Sequence, residues 1–203
     1  MFPFDVILFD VGGVLLTNGW DHRERARVLD QFQLDRAAFE ARHPDPYDAW
    51  ERDAISAPEY LDATVFYEPR DFSAEDFLRA ILAQSVLLPD GGLGILQELA
   101  ASGKSMLGTL NNEAREPNDY RFEKFGLRNY VDVALSSCYV GLRKPQPVIY
   151  RRALDILGKP AQRVLFIDDR KENAAAAKAA GMKTICFEGA AQLRRDLETL
   201  GVL

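Results

Sequence analysis

The chain has 203 residues, 47% hydrophobic and 28% charged, so it can bury a sizeable core as one domain or as a core with an insert. Lys and Arg number 25 against 31 Asp and Glu, a net charge of −6, which argues against nucleic acid or an anionic membrane as the main partner. Two cysteines, Cys138 and Cys186, are too few for a disulfide framework, and no basic leader or membrane-length apolar run is present, so the expectation is a soluble cytoplasmic protein.

The first element is the run Val6-Ile7-Leu8-Phe9, which ends abruptly at Asp10 and is followed by Gly12 and Gly13. Continuous β-branched and aromatic character suits a strand buried on both faces of a parallel sheet. From Thr17 to about Leu88 the texture turns helical and charged. Residues 21–32 carry Ala26, Val28, Leu29 and Phe32 at helical spacings, with Asp21 as a fitting N-cap. Ser56-Ala-Pro-Glu59 has the order of a capping box, and Ser73-Ala-Glu-Asp76 opens a third helix with Phe77, Leu78, Ile81 and Leu82 inward. Residues 17–88 therefore read as a helical insert.

Beyond Pro89-Asp90-Gly91 the pattern alternates. A helix ending at Gly103 precedes a strand at 105–110, and a helix starting near Pro117 precedes a strand at 131–136. A helix over 145–157, a strand at 164–167, an alanine-rich helix over 173–180, a strand at 184–187 and a final helix with Leu193, Leu197 and Leu200 inward complete the chain. Alternation of this kind predicts an α/β fold: a Rossmann-like parallel sheet of about five strands, helices on both faces, and a small helical cap. The expected division is a core of residues 1–16 and 89–203 and a cap of residues 17–88.

Polar residues recur where these strands end. Asp10 follows the first, Asn111 and Asn112 the second, and Asp168-Asp169 the fourth, while Lys144 opens the helix after the third. Parallel strands bring their carboxyl ends to one edge, where ligands of open α/β sheets gather. Clustered carboxylates need a counter-cation, and a few hard oxygen ligands suit Mg²⁺ bridging to a phosphate. His22 and His43 are too isolated to suggest zinc.

Four segments together resemble the haloacid dehalogenase superfamily: Phe9-Asp10-Val11-Gly12-Gly13-Val14, Leu110-Asn111-Asn112, Arg143-Lys144-Pro145, and Ile167-Asp168-Asp169 with Asn173 following. The likeness covers residues 5–16 and 89–188, and the paired aspartates resemble a branch with sugar-phosphate phosphatases and the phosphatase-like domain of soluble epoxide hydrolases. The resemblance implies hydrolysis of a small phosphorylated metabolite with Mg²⁺ as cofactor. It casts Asp10 as nucleophile and Lys144 as its charge partner and phosphate ligand. It casts Asn111 and Asn112 as substrate-binding, Asp10, the Gly12 carbonyl and Asp169 as metal ligands, and Asp168 and Asn173 as groups that orient them.

Two positions depart from the family's commonest pattern. Gly12 stands where a second aspartate usually serves as general acid and base, and Asn111 stands where a Ser or Thr usually binds phosphate. Lost acid–base catalysis costs about 10²–10⁴ in rate. A cap residue such as Asp21 or His22, or water, is then needed to supply the proton. The departures keep two alternatives open: a non-catalytic binder of a phosphorylated ligand or partner, and a 2-haloacid dehalogenase. The paired carboxylates at 168–169 oppose the second, because they disfavour an anionic substrate beside Asp10.

Overall fold

The computed structural model describes residues 2–203. Five strands, β1 (Val6–Phe9), β2 (Met106–Thr109), β3 (Val133–Ala134), β4 (Val164–Asp168) and β5 (Lys183–Cys186), form one sheet in the order β3-β2-β1-β4-β5. Every pairing is parallel, with Val6 opposite Met106 on one side and Val164 on the other. All four residues of β1 are fully buried. Alternate side chains of this central strand serve opposite faces, as a two-residue period requires. Ile7 and Phe9 pack with Leu96 and Leu99 of α6 (Leu93–Ser102) and Leu193 and Leu197 of α11 (Ala190–Thr199). Val6 and Leu8 pack with Ile149 and Ala153 of α9 (Pro147–Leu157) and Ala177 of α10 (Lys171–Ala179).

Five helices lie between β1 and α6: α1 (His22–Gln31), α2 (Arg36–Arg42), α3 (Pro44–Glu51), α4 (Ala57–Thr64) and α5 (Ala74–Ala83). They bury a separate apolar cluster that includes Trp20, Leu29, Phe39, Trp50, Tyr60 and Phe77. The capping box at Ser56 and Glu59 is formed, and Ser73 accepts from the Asp76 N–H. Two helices, α2 and α3, fall in a stretch where no helix was expected. Their shared face joins Phe39, His43, Tyr47 and Glu51, a four-residue spacing whose mixed polar and aromatic character hides the period.

Three of the boundaries that differ from expectation have a clear local cause. β3 is a two-residue edge strand rather than 131–136, because the chain turns at Ser136 into the short helix α8 (Ser137–Val140). α7 (Arg115–Lys124) starts two residues before Pro117, which tolerates the first turn because no intrahelical N–H is needed there. α10 begins at Lys171, two residues before Asn173, because only Asp169 and Arg170 separate it from Asp168 at the end of β4. Among the described residues no helix is long and apolar enough to cross a membrane.

Candidate active site at the carboxyl edge of the sheet

The chain turns outward from β1 to β2 and β3 on one side and to β4 and β5 on the other, so the switch point lies between β1 and β4. That is where an open parallel sheet leaves a crevice at its carboxyl edge. Asp10 leaves β1 there, with its backbone N–H bonded to the Ile167 carbonyl of β4 at 2.8 Å. Its Oδ1 accepts from the Val11 N–H at 2.7 Å.

Lys144 Nζ lies 2.8 Å from Asp10 Oδ2 and 2.7 Å from Asp168 Oδ2, and its side chain is 1% exposed. Asn112 fixes the backbone of this lysine from both sides: its Oδ1 accepts from the Lys144 N–H and its Nδ2 donates to the Lys144 carbonyl, each at 2.8 Å. Asp168 is fully buried and has every oxygen engaged. Besides Lys144, it accepts from Asn173 Nδ2 at 3.0 and 3.1 Å and from the Arg170 N–H at 2.8 Å. It is thus the anchor of the site, and Asn173 acts on it directly.

Asp10, Asp168 and Asp169 each bring a carboxylate oxygen within 4.8 Å of the others. Burial raises the Asp10 carboxyl pKa, and the facing ammonium of Lys144 opposes that rise. Burial lowers the Lys144 pKa, but the two facing carboxylates outweigh it and the ammonium is held above its ordinary value. Burial and then Asp168 raise the Asp169 pKa. Three carboxylates thus face one lysine, and Asp169 Oδ1 is buried with no hydrogen-bond partner. The β1 loop closes on that oxygen pair: Gly13 has φ +73°, and a Cβ there would meet Asp169 Oδ2 at 2.3 Å. An orphaned carboxylate oxygen, an uncompensated charge and a backbone cradle fit a small hard cation.

Gly12 is different. Its φ needs no glycine, and a Cβ would meet Asn18 Oδ1 at 3.1 Å and Arg121 Nη1 at 3.8 Å. The position thus has moderate space and no side chain capable of donating a proton.

A cavity of about 540 Å³ opens above Asp10, Gly12, Asn112, Lys144 and Asn173 and runs to Arg25, His43 and Tyr47 of the insert. Asp21 and His22, named above as proton candidates, lie on its wall. Asp21 caps α1 through its Oδ1 and pairs with Arg170 through its Oδ2 at 2.8 Å. Asn111 does not reach the cavity. Its Nδ2 donates to Asn118 Oδ1 at 3.0 Å and its Oδ1 accepts from Ser136 Oγ at 2.9 Å, so both ends of the amide are turned into the core. Sequence reasoning also passed over Arg25, Glu40, His43, Tyr47, Glu51 and Arg121. The four-residue spacing of His43, Tyr47 and Glu51 was the one available signal for a shared face.

Comparison with known proteins gives a consistent picture. A family model described as haloacid dehalogenase-like hydrolase matches residues 4–181. Flavin mononucleotide hydrolase 1 of Arabidopsis thaliana is 32% identical over 186 residues, 86% of this chain and 74% of that protein. Bifunctional epoxide hydrolase 2 of Rattus norvegicus is 34% identical over 137 residues, 64% of this chain, which spans only 24% of that protein. A haloacid dehalogenase family enzyme of Bacteroides thetaiotaomicron, solved as a magnesium complex, superposes with a TM-score of 0.79 at 20% identity, covering 95% of this chain and 99% of that one.

Proposed function

The chain belongs to the haloacid dehalogenase-like hydrolases, and from that premise we propose that it is a Mg²⁺-dependent phosphohydrolase of a small phosphorylated metabolite, working through an aspartyl-phosphate at Asp10. The observation that carries this reading is Lys144 Nζ, held at 2.8 Å from Asp10 and 2.7 Å from Asp168 beside the unpartnered oxygen of Asp169. Asp10, the Gly12 carbonyl and Asp169 are the groups that hold the metal. Bound Mg²⁺ supplies positive charge against the carboxylates and the phosphoryl oxygens.

An Asp10 oxygen attacks phosphorus as the ester P–O bond breaks, leaving an alkoxide that takes a proton. Water then attacks the same phosphorus, releasing inorganic phosphate and restoring Asp10. Lys144 favours the ionised form of Asp10 against burial and the neighbouring carboxylates, which raise its pKa to about 7, and it faces the charge that gathers on the phosphoryl oxygens. Asp168 and Asn112 hold Lys144 in place. Residues 17–88 act as the cap over this chemistry and limit water at the cavity. Asn111 has its amide committed elsewhere, so phosphate contact falls to Lys144 and to backbone N–H groups of the β1 loop. The two cysteines stay unpaired, which suits the reducing, cytoplasmic setting that is part of this reading.

Dehalogenation of a 2-halo acid is disfavoured by the same charges, since the substrate carboxylate would add to three already present. The test is phosphate release from a panel of phosphate esters with Mg²⁺ and with excess chelator. Wild type is expected to release phosphate only with Mg²⁺, and Asp10→Asn to stay at background. Equal rates in both proteins overturn the reading.

A further inference from the structure

The insert meets the core along two unequal seams. On the side of α7 and α8 the contacts are several and partly buried. Trp50 Nε1 donates to Glu116 Oε2 at 2.9 Å, and the fully buried Ser137 Oγ donates to the Glu51 carbonyl at 2.7 Å. Arg115 grips both oxygens of Asp53 at 2.8 and 2.5 Å. On the side of α10, among the described residues, one ion pair spans core and insert: Arg170 Nη2 and Asp21 Oδ2 at 2.8 Å, with side chains 49% and 32% exposed. His22 and Glu172, exposed residues of the cavity lining, flank that pair, so it stands at the mouth. Exposed pairs of this kind hold weakly, and the mouth is therefore where the two parts separate most easily.

The other guanidiniums of the cavity are held more firmly. Arg25, its side chain 4% exposed, grips both oxygens of Glu40 at 2.7 and 3.0 Å and donates to the Trp20 carbonyl at 3.0 Å. Arg121 is buried against Glu113. Arg143 faces two carboxylates, Asp48 and Glu51, and leaves its Nε without a partner. Arg170 has one carboxylate partner and is half exposed. It also follows Asp169 directly, and its backbone N–H is fixed on Asp168 Oδ1 at 2.8 Å. The guanidinium lies close enough to Asp10 and Asp169 for both carboxylates to act on its charge. Asp21, for its part, does two separable things: Oδ1 accepts from the His22 N–H at 2.7 Å as the cap of α1, and Oδ2 faces Arg170.

We propose that Arg170 is a phosphate-binding residue of this site, held at the mouth by Asp21 and handed over to the phosphoryl oxygens of the ester as it enters. A phosphoryl dianion offers the planar fork more charge and more acceptor oxygens than a single carboxylate does, so the exchange favours the substrate. Arg170 thereby joins Lys144 from the opposite flank of Asp10, and Asp21 is the residue that positions it in the empty site. This deepens the phosphohydrolase reading and rests on it for the class of ligand.

Calorimetric titration of inorganic phosphate in the presence of Mg²⁺ reads this without turnover. Arg170→Gln is expected to weaken phosphate binding about 10- to 100-fold. Asp21→Asn, which keeps the cap on α1, is expected to tighten it at least about threefold, because Arg170 then has no carboxylate to leave. In the Arg170→Gln background the same Asp21→Asn change is expected to have no effect, a dependence that a merely structural pair does not produce. In turnover the two single changes are expected in KM, upward and downward respectively, more than in kcat. Arg170→Lys, which keeps the charge and loses the fork, is expected to recover part of the loss, and thermal unfolding of each variant separates binding from folding. Phosphate affinity within about twofold of wild type in a folded Arg170→Gln, or a fall in kcat without a lower KM in Asp21→Asn, overturns the proposal. If wild type releases no phosphate from any ester yet binds inorganic phosphate in an Arg170-dependent way, the catalytic reading falls and this assignment stands. If turnover depends on Asp10 and Mg²⁺ while KM ignores Arg170, the assignment falls and the catalytic reading stands.

Discussion

Arg121 Nη1 and Glu113 Oε2 form an ion pair at 2.7 Å whose side chains are 2% and 3% exposed, and it lies beneath both chain crossings between core and insert. Arg121 Nη2 also donates to the Thr17 carbonyl on the outgoing crossing, and its Nε donates to Ser85 Oγ at 3.0 Å on the returning one. The crossings are tied to each other as well, through Thr17 Oγ1 donating to the Gln84 carbonyl at 2.8 Å. Lys124, one turn after Arg121 on α7, adds a bond from its Nζ to the Ser85 carbonyl at 3.0 Å. One helix of the core thus sets the position from which the insert overhangs Asp10.

Removing the guanidinium leaves a buried carboxylate without a partner, a change that costs about 3–5 kcal/mol. Arg121→Met is therefore expected to lower unfolding stability by that amount in urea. Arg121→Met combined with Glu113→Gln is expected to recover more than half of it. A loss below about 1 kcal/mol for the single variant contradicts the role given to this pair.

Gly13 combines a left-handed backbone with contact against Asp169. Gly13→Ala is expected to cost about 1–3 kcal/mol from backbone strain and to weaken Mg²⁺ binding by displacing the Asp169 carboxylate. Titration of Mg²⁺ against the thermal midpoint reads both. An unchanged Mg²⁺ response means that the cradle between the β1 loop and Asp169 is not the metal site.

Gly12 tolerates a side chain better, with Asn18 Oδ1 at 3.1 Å as the tightest neighbour. Gly12→Asp is expected to leave Mg²⁺ binding intact and to raise turnover of alkyl phosphates about tenfold or more, since a carboxyl there can protonate the leaving alkoxide. Aryl phosphates, whose leaving groups need no proton, are expected to change by less than about threefold. No gain with alkyl esters means that another group already supplies the proton.

His43 makes stability depend on pH in a defined direction. Its folded pKa is lowered to about 4 by burial and by Arg25, against 6.5 as its ordinary value. Between these values the unfolded chain binds the proton and the folded chain does not, so stability from this group is lost as pH falls from 6.5 towards 4. The loss amounts to about 2 kcal/mol by pH 5, at 1.36 kcal/mol per pKa unit. Urea unfolding of wild type and His43→Gln at pH 7.5 and pH 5 isolates it: the wild type is expected to lose more stability than the variant. Equal losses contradict the neutral, buried imidazole.

The sequence carried the sheet and its edge chemistry clearly because burial on both faces leaves an unbroken apolar run such as Val6–Phe9, and because Asp10, Lys144 and Asp168 each sit next to such a run or a proline. The same logic failed at Asn111. Its position predicts a ligand-facing amide, but the neighbouring Asn118 and Ser136 that claim it come from elements 7 and 25 residues away. The insert was legible as helical and opaque in function. Its polar wall is made of residues that satisfy one another across α1, α2 and α3, and pairings such as Arg25 with Glu40 leave no periodic mark. His43 looked like an isolated histidine because the partners that give it meaning, Trp20 and Tyr60, lie 23 residues before and 17 residues after it.

The central claim is that Asp10 itself carries the phosphoryl group between substrate and water. The most direct measurement is a single-turnover reaction with substrate labelled in its phosphate, quenched in acid and mapped by peptide mass. The account predicts transient label on the peptide containing Asp10, cleared by a chase of unlabelled substrate and absent from Asp10→Asn. Phosphate release that proceeds at the wild-type rate with no label on that peptide at any time point would contradict it.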